Sequence, residues 1–325
     1  MNDKNALFIG PMSLNIIEVV KECSRENIIG LVASRRQIEY DGGYVEGLTP
    51  KSLYYNLSGS KVILCRDHSG PGQGNSDDDG LDSLTEDCKY MNIIHIDPWK
   101  KAKSLQNGID KTIQLIKFCI KKNPDILFEV GTEQAIFKME PHELRFMIQY
   151  LKRELGPMIF KNILYAVIQS GTSLSGNQNT GKYDRKKLVE MVYICKDFGL
   201  LSKEHNGDYL PMNLIKEKME LGLSAINIAP EFGLIETNCI LKRIKLLGRD
   251  DLLEKFFNLC LVSERWKKWV PKDYNPLENK EEIVKISGHY VFSRPELKSI
   301  KKELNNDLDS DIKTAIRNKI MEFYK

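Results

Sequence analysis

The stretch at residues 61–74 carries three ionisable side chains at the end of an apolar run. Its sequence is KVILCRDHSGPGQG, in which Asp67 and His68 precede a loop rich in glycine and proline. Enzymes built on buried parallel strands carry reactive side chains at the carboxyl ends of those strands. Asp67 and His68 are therefore the first candidates for catalysis, although an isolated Asp-His pair is equally typical of a solvated corner between a strand and a loop.

Polar side chains also follow most of the other apolar runs. His68, His95 and His205, three of the five histidines, lie at or just after the ends of such runs, and Glu129 holds a comparable position. Imidazole and carboxylate groups that converge in this way can bind a divalent metal or transfer a proton. Further residues at such ends are Ser13, Arg35, Arg36, Gln37, Asp97, Thr132, Glu133, Gln169, Ser170, Gly171, Glu204, Asn206 and Glu231.

The loop after the sixth apolar run, QSGTSLSGNQNTG, is rich in glycine, serine and asparagine. Its first residues, Ser170 and Gly171, can present a hydroxyl and backbone N–H groups to an anion. The basic residues that could neutralise that anion are Arg35, Arg36, Lys100 and Lys101. We expect a phosphate site here, and an ordinary surface loop beside surface charges is the alternative, because the loop matches no P-loop or dinucleotide fingerprint.

Eight short apolar runs supply the strands that would position these residues. They occupy residues 6–10, 29–33, 61–65, 92–96, 126–130, 162–168, 200–203 and 225–229, and stretches with helical spacing follow most of them. Buried parallel strands appear as short apolar runs and each crossover needs a helix, so the pattern predicts an α/β fold, a (β/α)8 TIM barrel. A doubly wound open sheet is the alternative, but it does not account for polar residues after nearly every strand.

The pattern changes at about residue 250 to charged helical segments without further strands. We therefore predict a barrel over residues 1–249 and a helical C-terminal extension over residues 250–325 that packs on the barrel. The alternating charges of the extension are typical of solvated helix faces. The histidines His142 and His289 lie outside the polar ring, and we assign them no role.

The overall composition is that of an ordinary soluble protein. The chain has 325 residues, of which 48 are basic and 45 acidic, and the net charge of +3 gives no reason to expect nucleic acid or membrane binding. The seven cysteines are scattered and never in CxxC spacing, which argues against a disulfide framework or a structural zinc module. Without a signal sequence or an apolar run of membrane length, the chain is predicted to be cytoplasmic.

Several motifs taken together resemble a known family. GGY at residues 42–44 precedes a helix that starts with Thr-Pro, and RDHSGP, IHIDPW, EVGTE, AVIQSGTSL and KEHNGDY follow in that order. Over about residues 28–245 the chain is similar to the class II tagatose-bisphosphate aldolase family, specifically to its larger, so-called non-catalytic subunit type. The resemblance implies a TIM barrel, a phosphorylated sugar ligand and, among catalytic relatives, zinc-dependent aldol cleavage or condensation.

The resemblance also implies roles for individual residues. His68, His95 and His205 would bind Zn²⁺ or another divalent metal, and Asp67 and Glu129 would be catalytic, with Asp67 as the acid–base group. The metal would polarise a ketose carbonyl while the carboxyl group moves a proton. The predicted substrate-binding residues are Arg35, Arg36, Ser170, Gly171, Asp97, Glu133 and Asn206.

One position departs from the pattern of catalytic class II aldolases. They place a metal-binding histidine after the sixth strand, and Gln169 holds that place here, as in the non-catalytic subunit type. Because an amide is a poorer metal ligand than imidazole, a weaker zinc site is expected.

Three functions therefore remain open. The first is a metal-dependent class II aldolase-type lyase acting on a phosphorylated or acidic sugar in carbohydrate metabolism. The second is a catalytically silent barrel that stabilises a partner class II aldolase, and the third is a barrel enzyme with other carbonyl or isomerase chemistry. The expected partners are a phosphorylated sugar and either a partner aldolase subunit or a second copy of this chain.

Overall fold

The chain closes into a barrel of eight parallel strands, which confirms the (β/α)8 TIM barrel predicted from the apolar runs. The computed structural model describes residues 5–305 and 307–325. Its strands are β1 (Ala6–Ile9), β2 (Ile29–Ser34), β3 (Ile63–Ser69), β4 (Ile93–Ile96), β5 (Leu127–Val130), β6 (Ile163–Ile168), β7 (Leu174–Ser175), β8 (Gln178–Asn179), β9 (Leu201–Glu204) and β10 (Ala225–Ile228). The barrel order is β1-β10-β9-β6-β5-β4-β3-β2, and β7 and β8 form a separate antiparallel hairpin.

A helix follows each barrel strand, as parallel pairing requires. The helices are α1 (Leu14–Cys23), α2 (Pro50–Asn56), α3 (Leu81–Tyr90), α4 (Leu105–Lys122), α5 (Pro141–Phe160), α6 (Arg185–Asp197), α7 (Met212–Glu220), α8 (Pro230–Leu246), α9 (Asp250–Ser263), α10 (Lys280–Ser287), α11 (Pro295–Glu303) and α12 (Leu308–Tyr324). Ser13 caps α1 with its hydroxyl, and Thr49 and Ser52 form a reciprocal capping box at α2. None of the helices in the described part of the chain is long and apolar enough to cross a membrane.

Apolar side chains fill two regions of the barrel. The larger region lies between the strands and the helices, and a smaller cluster inside the barrel consists of Ala6, Phe8, Val32, Cys65, Ile93, Tyr165 and Ala225. Alternate residues of a strand point to the same face, so Asp67 and His95, two positions after members of this inner cluster, also face inward. The inner cluster thus fills the barrel below the carboxyl ends of the strands, and the polar side chains lie above it.

The helices of the C-terminal extension pack against the barrel. Helix α12 contacts α1 and α8, and the Tyr324 hydroxyl donates a hydrogen bond of 2.6 Å to the carbonyl of Ile28. Lys319 forms an ion pair of 2.7 Å with Glu231 near the start of α8. Two 3-10 turns, Arg265–Trp269 and Gly288–Val291, connect the helices of the extension. The division into two domains, over residues 1–249 and 250–325, stays a prediction.

Candidate active site

Strand β3 is irregular where it carries Asp67 and His68. In a regular strand these successive residues would point to opposite faces. The pairing of β3 with β4 shifts register between Arg66 and Ser69, and His68 has a φ of 46°, in the left-handed region. This bulge lets both side chains line the same cavity, at a local backbone cost of roughly 1–3 kcal/mol.

Four side chains meet at the mouth of the barrel: Asp67, His68, His95 and His205. Each has a ligand-type atom within 4.8 Å of those of the other three. The Oδ1 atom of Asp67 lies 3.6 Å from Nε2 of His68, 3.7 Å from Nδ1 of His95 and 3.8 Å from Nδ1 of His205. This oxygen is buried and has no hydrogen-bond partner among the residues that the structure describes. The cluster therefore surrounds one point with a carboxylate oxygen and three imidazole nitrogens.

The second nitrogen of each imidazole contacts an acceptor that fixes the ring. The three contacts are His68 Nδ1 to Asp97 Oδ2 at 2.6 Å, His95 Nε2 to the Gly131 carbonyl at 3.0 Å, and His205 Nε2 to Glu129 Oε1 at 2.5 Å. Because carboxylates and carbonyls only accept, these outer nitrogens carry protons, and a neutral ring then has its lone pair on the inner nitrogen. The inner nitrogen of His95, Nδ1, accepts a hydrogen bond of 3.2 Å from the backbone N–H of His68. Metal-binding histidines in proteins are held in this way.

The donor set of the cluster fits a divalent metal. Three imidazole nitrogens and one carboxylate oxygen form a usual ligand set for zinc, and the unpartnered oxygen of Asp67 would gain a partner. The carboxylates of Asp67 and Asp97 raise the pKa of His68 to about 10, against the opposing effect of burial. A bound cation would displace that proton, so metal binding is expected to strengthen as pH rises.

Glu129 lies behind His205 and does not line the cavity. It is fully buried, and its other oxygen, Oε2, accepts a hydrogen bond of 2.6 Å from Nζ of Lys203, which is also fully buried. Burial raises the pKa of the Glu129 carboxyl, but Lys203 and the nearby histidines outweigh burial and lower it below its usual value. Glu129 is therefore an ionised carboxylate in contact with His205, and the catalytic role predicted for it stays a prediction.

Gln169 is not part of the cluster. Its Nε2 donates to the carbonyls of Thr132 and Phe137 at 2.9 Å each, and its Oε1 accepts from the backbone N–H of Met139 at 2.9 Å. The amide thus fixes the segment that follows β5. Three histidines converge without it, and the weaker metal site expected from Gln169 stays a prediction.

The predicted phosphate site does not assemble as a unit. Arg35 is buried and pairs with Glu39 and Asp78, each at 2.6 Å. The Ser170 hydroxyl donates to Glu204 at 2.5 Å and accepts from Lys218 at 3.0 Å. These side chains are therefore engaged in buried structural contacts.

The cavity above the cluster contains only some of the residues predicted to bind substrate. Arg36, Glu133 and Asn206 line it, whereas Arg35, Ser170 and Gly171 do not. Nδ2 of Asn206 donates to Oε2 of Glu133 at 2.5 Å, and the same oxygen is 4.0 Å from His68. Asp97 is buried and contacts Nδ1 of His68, and the substrate-binding role predicted for it stays a prediction.

The cavity has a volume of about 520 Å³, and its lining includes residues that sequence reasoning assigned no role. They come from the two 3-10 turns of the extension and are Arg265, Lys268, Trp269, His289 and Tyr290. The only signal for them in the sequence is the basic and aromatic RWKKW motif, and nothing local to that motif indicates that it reaches the barrel mouth.

Comparison with solved structures identifies several barrels of the same fold. A structure described as a probable tagatose 6 phosphate kinase from Sinorhizobium meliloti 1021 has a TM-score of 0.81 at 14% identity, with 99% of each chain covered. A fructuronate-tagaturonate epimerase from Cohnella laeviribosi has a TM-score of 0.65 at 12% identity, covering 99% of this chain and 81% of that one. A fructose-bisphosphate aldolase from Campylobacter jejuni has a TM-score of 0.60 at 12% identity, covering 99% and 90%.

No protein-family model matches the sequence, and no curated protein matches it significantly. At identities this low, the structural likeness establishes the fold alone. The reaction must therefore be inferred from the side chains of the site.

Proposed function

We propose that the protein is a metal-dependent class II aldolase-type lyase that cleaves or forms a carbon–carbon bond in a phosphorylated or acidic sugar. One observation carries this proposal: three oriented imidazoles and the unpartnered Oδ1 of Asp67 surround one point at the mouth of the barrel. The family resemblance of the motifs around these residues supports it, and so does the barrel shared with solved aldolase and epimerase structures.

The residues of the cluster would have different roles in metal binding and proton transfer. His68, His95 and His205 would hold the metal with Asp67 beside it, and a bound divalent metal supplies Lewis-acid polarisation of a carbonyl. Asp67 lines the cavity, so it is placed to accept the proton of a substrate hydroxyl in cleavage and to return it in condensation. Glu133 and Asn206, joined by a hydrogen bond, present a carboxylate oxygen and an amide to the hydroxyls of a sugar.

An activity assay with matched variants tests the proposal. The purified protein is assayed for aldol cleavage of a panel of ketose phosphates, with zinc or manganese supplied and with and without a companion class II aldolase. His205→Ala should lose metal and activity together, whereas His142→Ala should keep both because His142 is an exposed histidine outside the cavity.

The outcome that contradicts the enzyme proposal is equally defined. A wild-type chain that binds no metal and cleaves no substrate alone, but stabilises or activates the companion aldolase, would support the silent-subunit alternative instead. Metal binding with epimerisation and no cleavage would favour isomerase chemistry on the same barrel.

A further inference from the structure

The geometry points to an anion-binding site at the roof of the cavity, formed where the C-terminal extension meets the barrel. We infer that Arg36 and Lys100 of the barrel, with Arg265 and Lys268 of the extension, bind a phosphate group of the substrate. This inference rests on the proposed function only in assigning the phosphate to the substrate of the aldolase reaction. Anion binding itself depends on the four cations alone.

Two of the cations are held in place by backbone carbonyls, which leave their charge uncompensated. Nζ of Lys100 donates to the Gly72 carbonyl at 2.6 Å, and Nε of Arg36 donates to the Gly74 carbonyl at 3.3 Å. Within the described residues, neither side chain forms an ion pair with a carboxylate. The loop after β3 therefore positions two positive charges at the cavity wall.

The other two cations belong to the 3-10 turn Arg265–Trp269. Nζ of Lys268 lies 4.1 Å from the centre of the Trp269 ring and 5.2 Å from that of Tyr290, so aromatic faces hold the ammonium group in the cavity. Lys268 remains accessible to solvent, although protein surrounds it closely enough for burial, Arg36 and Arg265 to lower its pKa to about 8. The nearby carboxylate of Glu133 opposes this lowering of the pKa, and an anion bound beside the two guanidinium groups would favour the charged form of Lys268 further.

Acidic groups in the cavity do not balance these cations. The described lining contains two carboxylates, Asp67 and Glu133. Asp67 belongs to the histidine cluster, and Glu133 accepts from Asn206 while lying 4.0 Å from His68. A site with four cations and guanidinium forks suits the three terminal oxygens and double negative charge of a phosphate better than a single carboxylate.

The neighbouring Lys267 provides a matched control. It is in the same turn, but it pairs with Glu264 and does not line the cavity. Replacing Lys267 therefore removes one positive charge from the same segment without changing the proposed site.

Calorimetric titration of inorganic phosphate into the metal-stripped full chain tests the inference apart from catalysis. Lys268→Met and Arg265→Met should each weaken phosphate binding by roughly tenfold to a hundredfold, the usual effect of losing one charged hydrogen bond. Lys267→Met should leave the affinity unchanged, and Lys268→Arg should retain most of it. Thermal unfolding of each variant verifies that it remains folded.

Three results would overturn the inference: unchanged phosphate affinity in the Arg265→Met, Lys268→Met double variant, an equal loss in Lys267→Met, or acetate binding as tight as phosphate binding. The last result would assign the site to a carboxylate. Phosphate binding that depends on Lys268 in a protein without aldol activity would refute the proposed reaction and keep the anion site. Aldol activity in a protein whose phosphate binding does not depend on Lys268 would refute the anion site and keep the proposed reaction.

Discussion

Replacing Lys203 with methionine should strongly destabilise the barrel and weaken the candidate metal site. Lys203 is fully buried, its Nζ lies 2.6 Å from Oε2 of Glu129, and it sits 3.9 Å from the centre of the Phe8 ring. Methionine keeps much of the length and the apolar contacts of the lysine side chain. It leaves the Glu129 carboxylate buried without its cationic partner.

The size of the effect follows from that uncompensated charge. Removing one member of a buried ion pair costs about 3–5 kcal/mol of unfolding free energy. In a chain of this size that loss corresponds to a fall in Tm of roughly 4–7 °C. Because Glu129 also orients His205, the affinity of the site for zinc should fall about tenfold to a hundredfold.

The pH dependence separates this electrostatic cause from loss of packing. Without Lys203, the pKa of Glu129 rises in the folded state, so the penalty is fully present only above that raised pKa and shrinks as pH falls from there towards the unfolded-state value of about 4.5. Urea unfolding of wild type and variant at pH 5 and pH 8 should show a smaller difference at pH 5. The Lys203→Met, Glu129→Gln double variant should recover part of the stability, because it removes the buried charge.

Two results would refute this reasoning about Lys203. One is a stability loss below about 1 kcal/mol at pH 8. The other is a large loss that is the same at both pH values and is not relieved in the double variant. The first result would indicate that the Glu129 carboxylate is solvated, and the second that the loss comes from packing alone.

Three further predictions concern single residues. Asp67→Asn should lower the rate of aldol cleavage by about 10²–10⁴-fold, because an amide cannot carry the proton, and an unchanged rate in steady-state assays would exclude Asp67 as the acid–base group. Gln169→Ala should cost roughly 1–3 kcal/mol in urea unfolding through the hydrogen bonds it removes, with zinc stoichiometry unchanged, and loss of zinc would show that Gln169 contributes to the site. Burial and the charge of Lys268 lower the pKa of His289 to about 3 from 6.5, so the contribution of the neutral ring to the free energy of unfolding is fully present above pH 6.5 and is lost as pH falls towards 3. The wild type should therefore lose stability more steeply than His289→Gln over that range. Parallel plots of unfolding free energy against pH for the two proteins would contradict this prediction.

The fold and several candidate site residues could be predicted from local patterns. Most barrel strands are apolar over much of their length, because strands buried on both faces favour apolar sequence, whereas β9 contains the buried polar residues Ser202, Lys203 and Glu204. The positions of Asp67, His95 and His205 at strand ends indicated that they would meet once the barrel closed. This part of the prediction required only the positions of the strand ends and the assumption that the barrel closes.

The remaining features depend on contacts between distant segments. The bulge at His68 arises from pairing between β3 and β4, and the sequence of β3 alone does not indicate it. The ion pair of Arg35 with Asp78 joins two loops, and the contact of Ser170 with Lys218 reaches α7, so the sequence around Arg35 or Ser170 does not indicate either contact. The cavity roof was missed because Arg265 and Lys268 reach the barrel only through the packing of the extension.

Anomalous diffraction at the zinc edge, from crystals grown with Zn²⁺, tests the central claim most directly. The proposal predicts one strong anomalous peak within bonding distance of Asp67 and the inner nitrogens of His68, His95 and His205, and loss of that peak in His205→Ala crystals but not in His142→Ala crystals. A cluster without anomalous density in zinc-soaked wild-type crystals would contradict the account.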